Sequence, residues 1–373
     1  MDIDSRLKIS IITVCLNSVK TIEQTITSVL NQTYPNIEYI ILDGASTDGT
    51  REVINQYKDR LAYYCSEPDG GLYHAMNKGL QHATGDVVAI LNSDDWYLED
   101  ALACVALHFK KTKADVLCFG VTRENKDGKR NDRFSRVRTD DNGFERLEVF
   151  HPATFVKKSI FDEIGYFDTE YRLAADYDWL IRMKRHGYTV QCIEQVTTYY
   201  SDGGLSSKYW NKAQDESMQA DLKYAKSNEE KEDIISIYNN KKVYRKYCEI
   251  LNQEQPGYIN AEDMKQHIHE KVYIFGAGNM GKECYKLLRQ NQIEIKGFVD
   301  NNQSVWGKMF DGYLVVSPSE IDNESDVVVI AIMKYEEEVR EQLLQMGMRD
   351  DRMIKFSSLK NKVFHKIALE MGI

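Results

Sequence analysis

The carboxylates best placed for chemistry are the pair Asp94-Asp95, which follows the apolar run 86–91, and Asp43, which ends the run 38–42. Hard cations such as Mg2+ and Mn2+ prefer carboxylate oxygen and keep positions open for phosphate, so the three residues together point to a metal–diphosphate site. Taken singly, each of these acids serves equally well as a turn or helix-cap residue. A calcium loop of the EF-hand kind is excluded. One starting at Asp43 has Ala45 and Thr47 at its third and fifth ligand positions and Ile54 at the twelfth, where Glu is required. Further along, Gly276, Gly278 and Gly281 form G-x-G-x-x-G between a strand-like run and a helix-like one, with Asp300 at the end of the next strand. That is the pattern of a dinucleotide loop with its ribose-binding acid. A P-loop reading of the same segment fails, because Glu283 stands where Ser or Thr serves Mg2+.

The elements that must position these residues follow from periodicity. Strands are predicted over 8–14, 38–42, 61–65 and 86–91, and a helix over 21–31, where Ile22, Ile26, Val29 and Leu30 share one face and Thr21 with Gln24 suits a capping box. Acidic residues thus twice follow the last apolar residue of a strand, at the carboxyl edge where open parallel sheets bind ligands. The segment from Asn142 to Tyr200 is mixed, with strands near 153–156, 188–193 and 196–200 and a helix near 177–186. Residues 208–251, rich in Lys, Glu, Asn and Tyr, read as solvent-washed helices. The fold class is therefore α/β, with domains expected at 1–206 and 269–360, a helical linker at 207–268 and an amphipathic helix at 361–373.

Composition narrows the function. With 373 residues, 42% hydrophobic and 28% charged, 22 Gly and 5 Pro, the chain is an ordinary folded protein, not a disordered or collagenous one. A formal charge of −10 argues against nucleic acid as a partner. Seven scattered Cys without a C-x-x-C pair suggest neither a disulfide framework nor a zinc site, and predict a reducing, cytoplasmic setting. No run approaches 18 apolar residues, and the start, 1–6, is polar.

The ordered set Ser10-Ile11-Ile12-Thr13, Ser28-Val29-Leu30-Asn31-Gln32-Thr33-Tyr34-Pro35, Asp43-Gly44-Ala45-Ser46-Thr47-Asp48-Gly49-Thr50 and Leu91-Asn92-Ser93-Asp94-Asp95 resembles family 2 glycosyltransferases. It continues through Glu67-Pro68-Asp69-Gly70-Gly71-Leu72-Tyr73, Ala75-Met76-Asn77-Lys78-Gly79 and Ala174-Ala175-Asp176-Tyr177-Asp178, and covers roughly residues 8–206. The resemblance implies a GT-A fold, a nucleoside diphosphate sugar donor, expected to be UDP-linked, a divalent cation (Mn2+ or Mg2+) and inversion at the anomeric carbon. It assigns Asp94 and Asp95 to metal and ribose, Asp43, Thr13 and Asn17 to the nucleotide pocket, and Asp176 to the general base. His151, Asp69 and Lys78 are further candidates for diphosphate or acceptor contact, and Gly203-Gly204 with Ser206 resembles a loop that closes over the donor. Two departures stand out: Asn92 replaces the usual first acid of its motif, and Ala175 replaces the Glu ahead of the base. Asp178 competes with Asp176 for the base on sequence alone.

The resemblance implies transfer of a hexose or N-acetylhexosamine to a hydroxyl of a growing surface glycan such as capsule, O-antigen or exopolysaccharide. A lipid-linked acceptor would bring the protein to the inner face of the membrane. The glycine motif resembles short Rossmann-like modules attached to sugar-modifying enzymes and raises a rival, an NAD-dependent sugar-nucleotide oxidoreductase or epimerase. That rival lacks the Tyr-x-x-x-Lys order, having Lys334-Tyr335 instead. A noncatalytic sugar-nucleotide binding protein is the other alternative. In 362–373, Val363, Phe364, Ile367, Ala368 and Met371 share a helical face, which suits packing on its own domain or peripheral contact with a membrane.

Overall fold

A computed structural model describes residues 7–124, 129–139, 145–201, 203–253, 257–260, 262–264, 266–267 and 270–373. The polar start 1–6, Asn142 at the head of the mixed segment and position 268 at the end of the expected linker lie outside the described residues. The chain divides into two units, 1–234 and 235–373.

In the first unit β1 (Ile9–Cys15), β2 (Ile37–Asp43), β3 (Tyr63–Ser66) and β4 (Val87–Ile90) run parallel. Strands β1, β2 and β4 are mostly apolar and buried along nearly their whole length, which suits strands covered on both faces. Between them come α1 (Ile22–Leu30), α2 (Thr50–Asn55) and α3 (Leu72–His82). Helix α1 buries Ile22, Ile26 and Val29 completely, each worth about 1.5–3 kcal/mol. Thr21 stands at its N-cap without a capping bond; its hydroxyl donates to the Ser18 carbonyl instead, so the capping box does not form.

Next come β5 (Trp96–Tyr97), α4 (Ala101–Lys111), β6 (Val116–Glu124), β7 (Arg130–Arg133), β8 (Arg136–Thr139), β9 (Glu145–Glu148), β10 (Thr154–Lys157), α5 (Lys158–Ile164), α6 (Ala175–Arg185) and β11 (Val190–Tyr199). The sheet order is β3-β2-β1-β4-β10-β6-β11-β5, with β7 on β6. Strand β10 lies antiparallel between β4 and β6, and this brings the turn before it, 151–153, to the carboxyl end of β4. The two strands expected at 188–193 and 196–200 are one strand, β11, with its register against β6 shifting between Cys192 and Val196. Helices α7 (Leu205–Lys208) and α8 (Trp210–Tyr224) complete this unit. Part of the expected linker therefore belongs to the first unit.

Helix α9 (Asn228–Gln253) leads on, and its residues Val243, Tyr247 and Ile250 join the core of the second unit. There β12 (Val272–Phe275), α10 (Asn279–Gln290), β13 (Ile295–Val299), β14 (Met309–Phe310), β15 (Tyr313–Val316), β16 (Val327–Ile330), α11 (Glu336–Gln345), β17 (Met353–Lys355) and α12 (Phe356–Met371) build a sheet of order β14-β15-β13-β12-β16-β17. All neighbours are parallel except β14 with β15. Helix α12 begins at Phe356, earlier than the expected 361, and buries Leu359, Val363 and Ile367 in this unit's core, so its apolar stripe is a packing face. Among the described residues no helix is long and apolar enough to cross a membrane.

Candidate active site

The carboxyl edge of β1, β2 and β4 gathers three loops. After β1, Asn17 adopts φ 52°, a left-handed conformation that Asn tolerates. From there its Oδ1 accepts from the Thr47 N–H at 3.0 Å, and its own N–H donates to Ser46 Oγ at 2.8 Å. After β2, the Asp43 carboxylate is 3% exposed and accepts from the Ser46 N–H and from the Ser46 and Ser66 hydroxyls. It organises the loop from beneath. Asp69 is exposed and lies beside Gly44, where a Cβ would stand 3.0 Å from its Oδ2.

The third loop carries Asp94 and Asp95, which differ sharply. Asp95 is 2% exposed, its oxygens accepting from the Ser201 N–H at 2.9 Å and the Asn92 amide at 3.1 Å. Burial, and then the charge of Asp94, push its carboxyl up to about 7, against the pull of Ser201, Asn92 and His151. The Asn92 departure gains a physical reason here: an acid at 92 would face the Asp95 carboxylate instead of donating to it. Asp94 is half-buried, raised by that burial, and its carboxylate has no side-chain partner among the described residues. Its Oδ2 lies 3.9 Å from where a Cβ on Gly204 would be, so the Gly203-Gly204 segment borders it. A bridge between the Ser18 and Ser93 hydroxyls, 2.8 Å, ties this loop to the one after β1.

Asp176 lies inside the first turn of α6, one step further into the helix than the sequence places it. The Tyr73 hydroxyl donates to Oδ1 at 2.7 Å, and His151 Nδ1 meets Oδ2 at 3.1 Å. Burial alone would raise this carboxyl; the His151 ring and the Tyr73 hydroxyl outweigh it and hold the group below the usual range. The side chain keeps 31% of its surface exposed, so a hydroxyl has a path to it. Asp178 is fully buried and engaged by Arg182 at 2.9 Å, Lys223 at 3.4 Å and Tyr224 at 3.3 Å, which excludes it as a base. Behind Asp176 and His151 a cavity of about 100 Å3 is walled by Val156, Phe161, Phe167 and Trp179.

Two expected site residues, Thr13 and Lys78, have their polar groups engaged by neighbours. Thr13 is fully buried with its hydroxyl 3.0 Å from Tyr39 Oη, so its polar group is committed inside the sheet. Lys78 is paired with Glu67 and 3.3 Å from Cys65 Sγ, and the Glu67 carboxylate chiefly raises its ammonium, so it is committed to a surface pair. Asp43 stands two strands from the Asp94 loop, about 10 Å in strand spacings with β1 between β2 and β4, so the three carboxylates do not converge on one metal. That spacing does not bear on its expected place in the nucleotide pocket. Among the described residues no three His, Cys, Asp or Glu side chains converge as a ready metal cage. Tyr73 was not legible as a site residue; only its place just inside α3, after the Gly70-Gly71 turn, hinted at it.

In the second unit Gly276, Gly278 and Gly281 do form the turn from β12 into α10. Gly281 is obligatory: a Cβ there would stand 1.9 Å from the Gly276 carbonyl. Asp300, expected to receive ribose hydroxyls, instead accepts from the Ala277 N–H at 2.9 Å and the Asn302 N–H at 2.8 Å. It braces the glycine loop.

Comparison with known proteins adds a lineage to this geometry. Residues 10–169 match the model described as glycosyl transferase family 2. An uncharacterised glycosyltransferase of Mycobacterium tuberculosis (strain H37Rv) is 32% identical over 192 residues, 50% of this chain and 72% of that protein. The chain belongs to glycosyl transferase family 2. It is a glycosyltransferase, as its series of motifs implies. A second relative, provisionally named as the teichuronic acid biosynthesis glycosyltransferase TuaG of Bacillus subtilis (strain 168), is 42% identical over 97 residues, 25% of this chain and 38% of that protein. Among solved structures, Staphylococcus aureus TarS in complex with UDP is similar at a TM-score of 0.48 and 21% identity, covering 70% of this chain and 78% of that one. Residues 268–354, outside the transferase match, fit the model described as C2185-like, N-terminal.

Proposed function

We propose that the first unit transfers a hexose or N-acetylhexosamine from a nucleoside diphosphate sugar, UDP-linked, to a hydroxyl of a growing surface glycan, with inversion. The observation that carries this reading is the state of Asp176: a reachable carboxylate held ionised by His151 and Tyr73 at the edge that also bears Asp94. A single displacement needs one base and no acid or protein nucleophile. Asp176 takes the proton of the acceptor hydroxyl as its oxygen bonds to the anomeric carbon, and the bond from that carbon to the diphosphate breaks, the electron pair leaving with the nucleoside diphosphate. Attack from the face opposite the leaving group inverts the carbon.

Asp94, a half-buried carboxylate with no side-chain partner among the described residues, would hold a divalent cation such as Mn2+ or Mg2+ together with the donor's diphosphate. When bound, the cation neutralises charge developing on the leaving group. Asp95 shapes that loop from inside, and Asn17 and Asp69 border the donor. The surface-glycan acceptor is supported by the relative named for teichuronic acid biosynthesis. The second unit is read as a Rossmann-like module; with Asp300 engaged by backbone amides, NAD is not part of the reading.

The test is UDP release from a panel of UDP-hexoses and UDP-N-acetylhexosamines with Mn2+. Asp176→Asn should lower turnover about 10²–10⁴-fold, the usual worth of a general base, while UDP still raises the melting temperature. Turnover unchanged by this substitution would overturn the assignment.

A further inference from the structure

We propose that Glu216 of α8 is the positioning residue for the base, fixing the loop that delivers Asp176. This rests on the transferase reading above. One oxygen, Glu216 Oε2, accepts from three consecutive backbone amides, Arg172 at 3.0 Å, Leu173 at 2.7 Å and Ala174 at 3.0 Å. These are the residues immediately before α6, whose N-cap, Ala174, has no side chain able to cap it. A carboxylate gathering successive amides holds them by charge-assisted bonds and sets the dihedrals of the whole stretch. Asp176 follows two residues later.

Helix α8 is itself anchored against α6. Ala213 and Ala220 are buried at helical spacing on either side of Glu216, small enough for close approach. Tyr177 Oη meets the Asp221 carboxylate at 3.1 and 3.2 Å, and Lys223 and Tyr224 reach Asp178. The acceptor of the three amides therefore comes from a held helix. This helix lies beyond the 10–169 family match, as does α6 with Asp176 itself.

Two variants of the full chain separate positioning from bulk structure. Glu216→Met keeps length and helix propensity but removes the acceptor; Glu216→Gln keeps a neutral acceptor. With UDP-N-acetylglucosamine and Mn2+, Glu216→Met should lose about tenfold or more in the kcat of UDP release with donor KM within about twofold, and Glu216→Gln should keep kcat within about threefold of wild type. Hydrogen exchange at 172–174 should accelerate in Glu216→Met and stay protected in Glu216→Gln. The proposal is overturned by a Glu216→Met that retains kcat, by kcat and donor affinity falling together, by Glu216→Gln falling as far as Glu216→Met, or by unchanged exchange. Wild type that releases UDP from no donor would refute the transferase reading instead, and the exchange comparison would still decide whether Glu216 holds the loop.

Discussion

Glu38 offers the most quantitative check on how the site's scaffold is held. It is 8% exposed, and its carboxylate joins the start of β1 to β2 and to the end of α3. It receives the Lys8 ammonium and the Ser10 hydroxyl at 2.6 Å, the Thr84 N–H at 2.7 Å and the Thr84 hydroxyl at 2.6 Å. Burial alone would raise its carboxyl; these four donors outweigh burial and bring it from 4.5 down to about 2. At about 1.4 kcal/mol per pH unit, that difference is worth about 3 kcal/mol of folding stability. Since the folded value is the lower one, the contribution is complete above pH 4.5 and is lost as pH falls toward 2. Glu38→Gln should therefore unfold more easily than wild type by about 3 kcal/mol at pH 7, and the gap should close as the pH drops through this window. Urea titration followed by tryptophan fluorescence reads it, because Trp96, Trp179 and Trp210 of the 4 tryptophans lie in the first unit. A gap that is absent at pH 7, or that stays constant down to pH 2.5, would refute the argument. The strands joined here present Asn17 and Asp43 at their other ends, so donor binding at pH 7 should persist in the variant while it remains folded.

Three further outcomes follow from particular contacts. Asp94→Asn should abolish the Mn2+-dependent thermal shift with UDP yet leave the ligand-free melting temperature nearly unchanged, whereas Asp95→Ala should lower the ligand-free value by leaving the Ser201 N–H and the Asn92 amide without their acceptor, a loss of about 1–3 kcal/mol. The reverse pattern would exchange the two roles. Tyr73→Phe removes a donor that holds Asp176 low, so the carboxyl rises and the acid limb of the pH profile for UDP release should move to higher pH with the plateau retained; an unmoved limb would separate Tyr73 from the base. Gly281→Ala should destabilise the second unit by about 3 kcal/mol or more, read by fluorescence of Trp306, because its Cβ meets the Gly276 carbonyl at 1.9 Å.

Much of the scaffold was legible from the chain itself. The apolar runs of β1, β2 and β4 and the spacing of Ile22, Ile26 and Val29 encode strand and helix by periodicity alone, and the acids after β2 and β4 follow from where those runs stop. The series of motifs carried the family, since each short piece needs only its own sequence to be recognised. What a given acid does was decided by tertiary structure. Asp176 and Asp178 are two residues apart on one helix, yet one faces an open edge with Tyr73 and His151 while the other is sealed among Arg182, Lys223 and Tyr224. Asp300 looks like a ribose-binding acid until the Ala277 and Asn302 amides are seen to occupy it. The amides of 172–174 find their acceptor at Glu216, more than 40 residues away. Periodicity is local and survives in the sequence, whereas hydrogen-bond saturation depends on which distant atoms the fold brings within about 3 Å, and no local pattern records that.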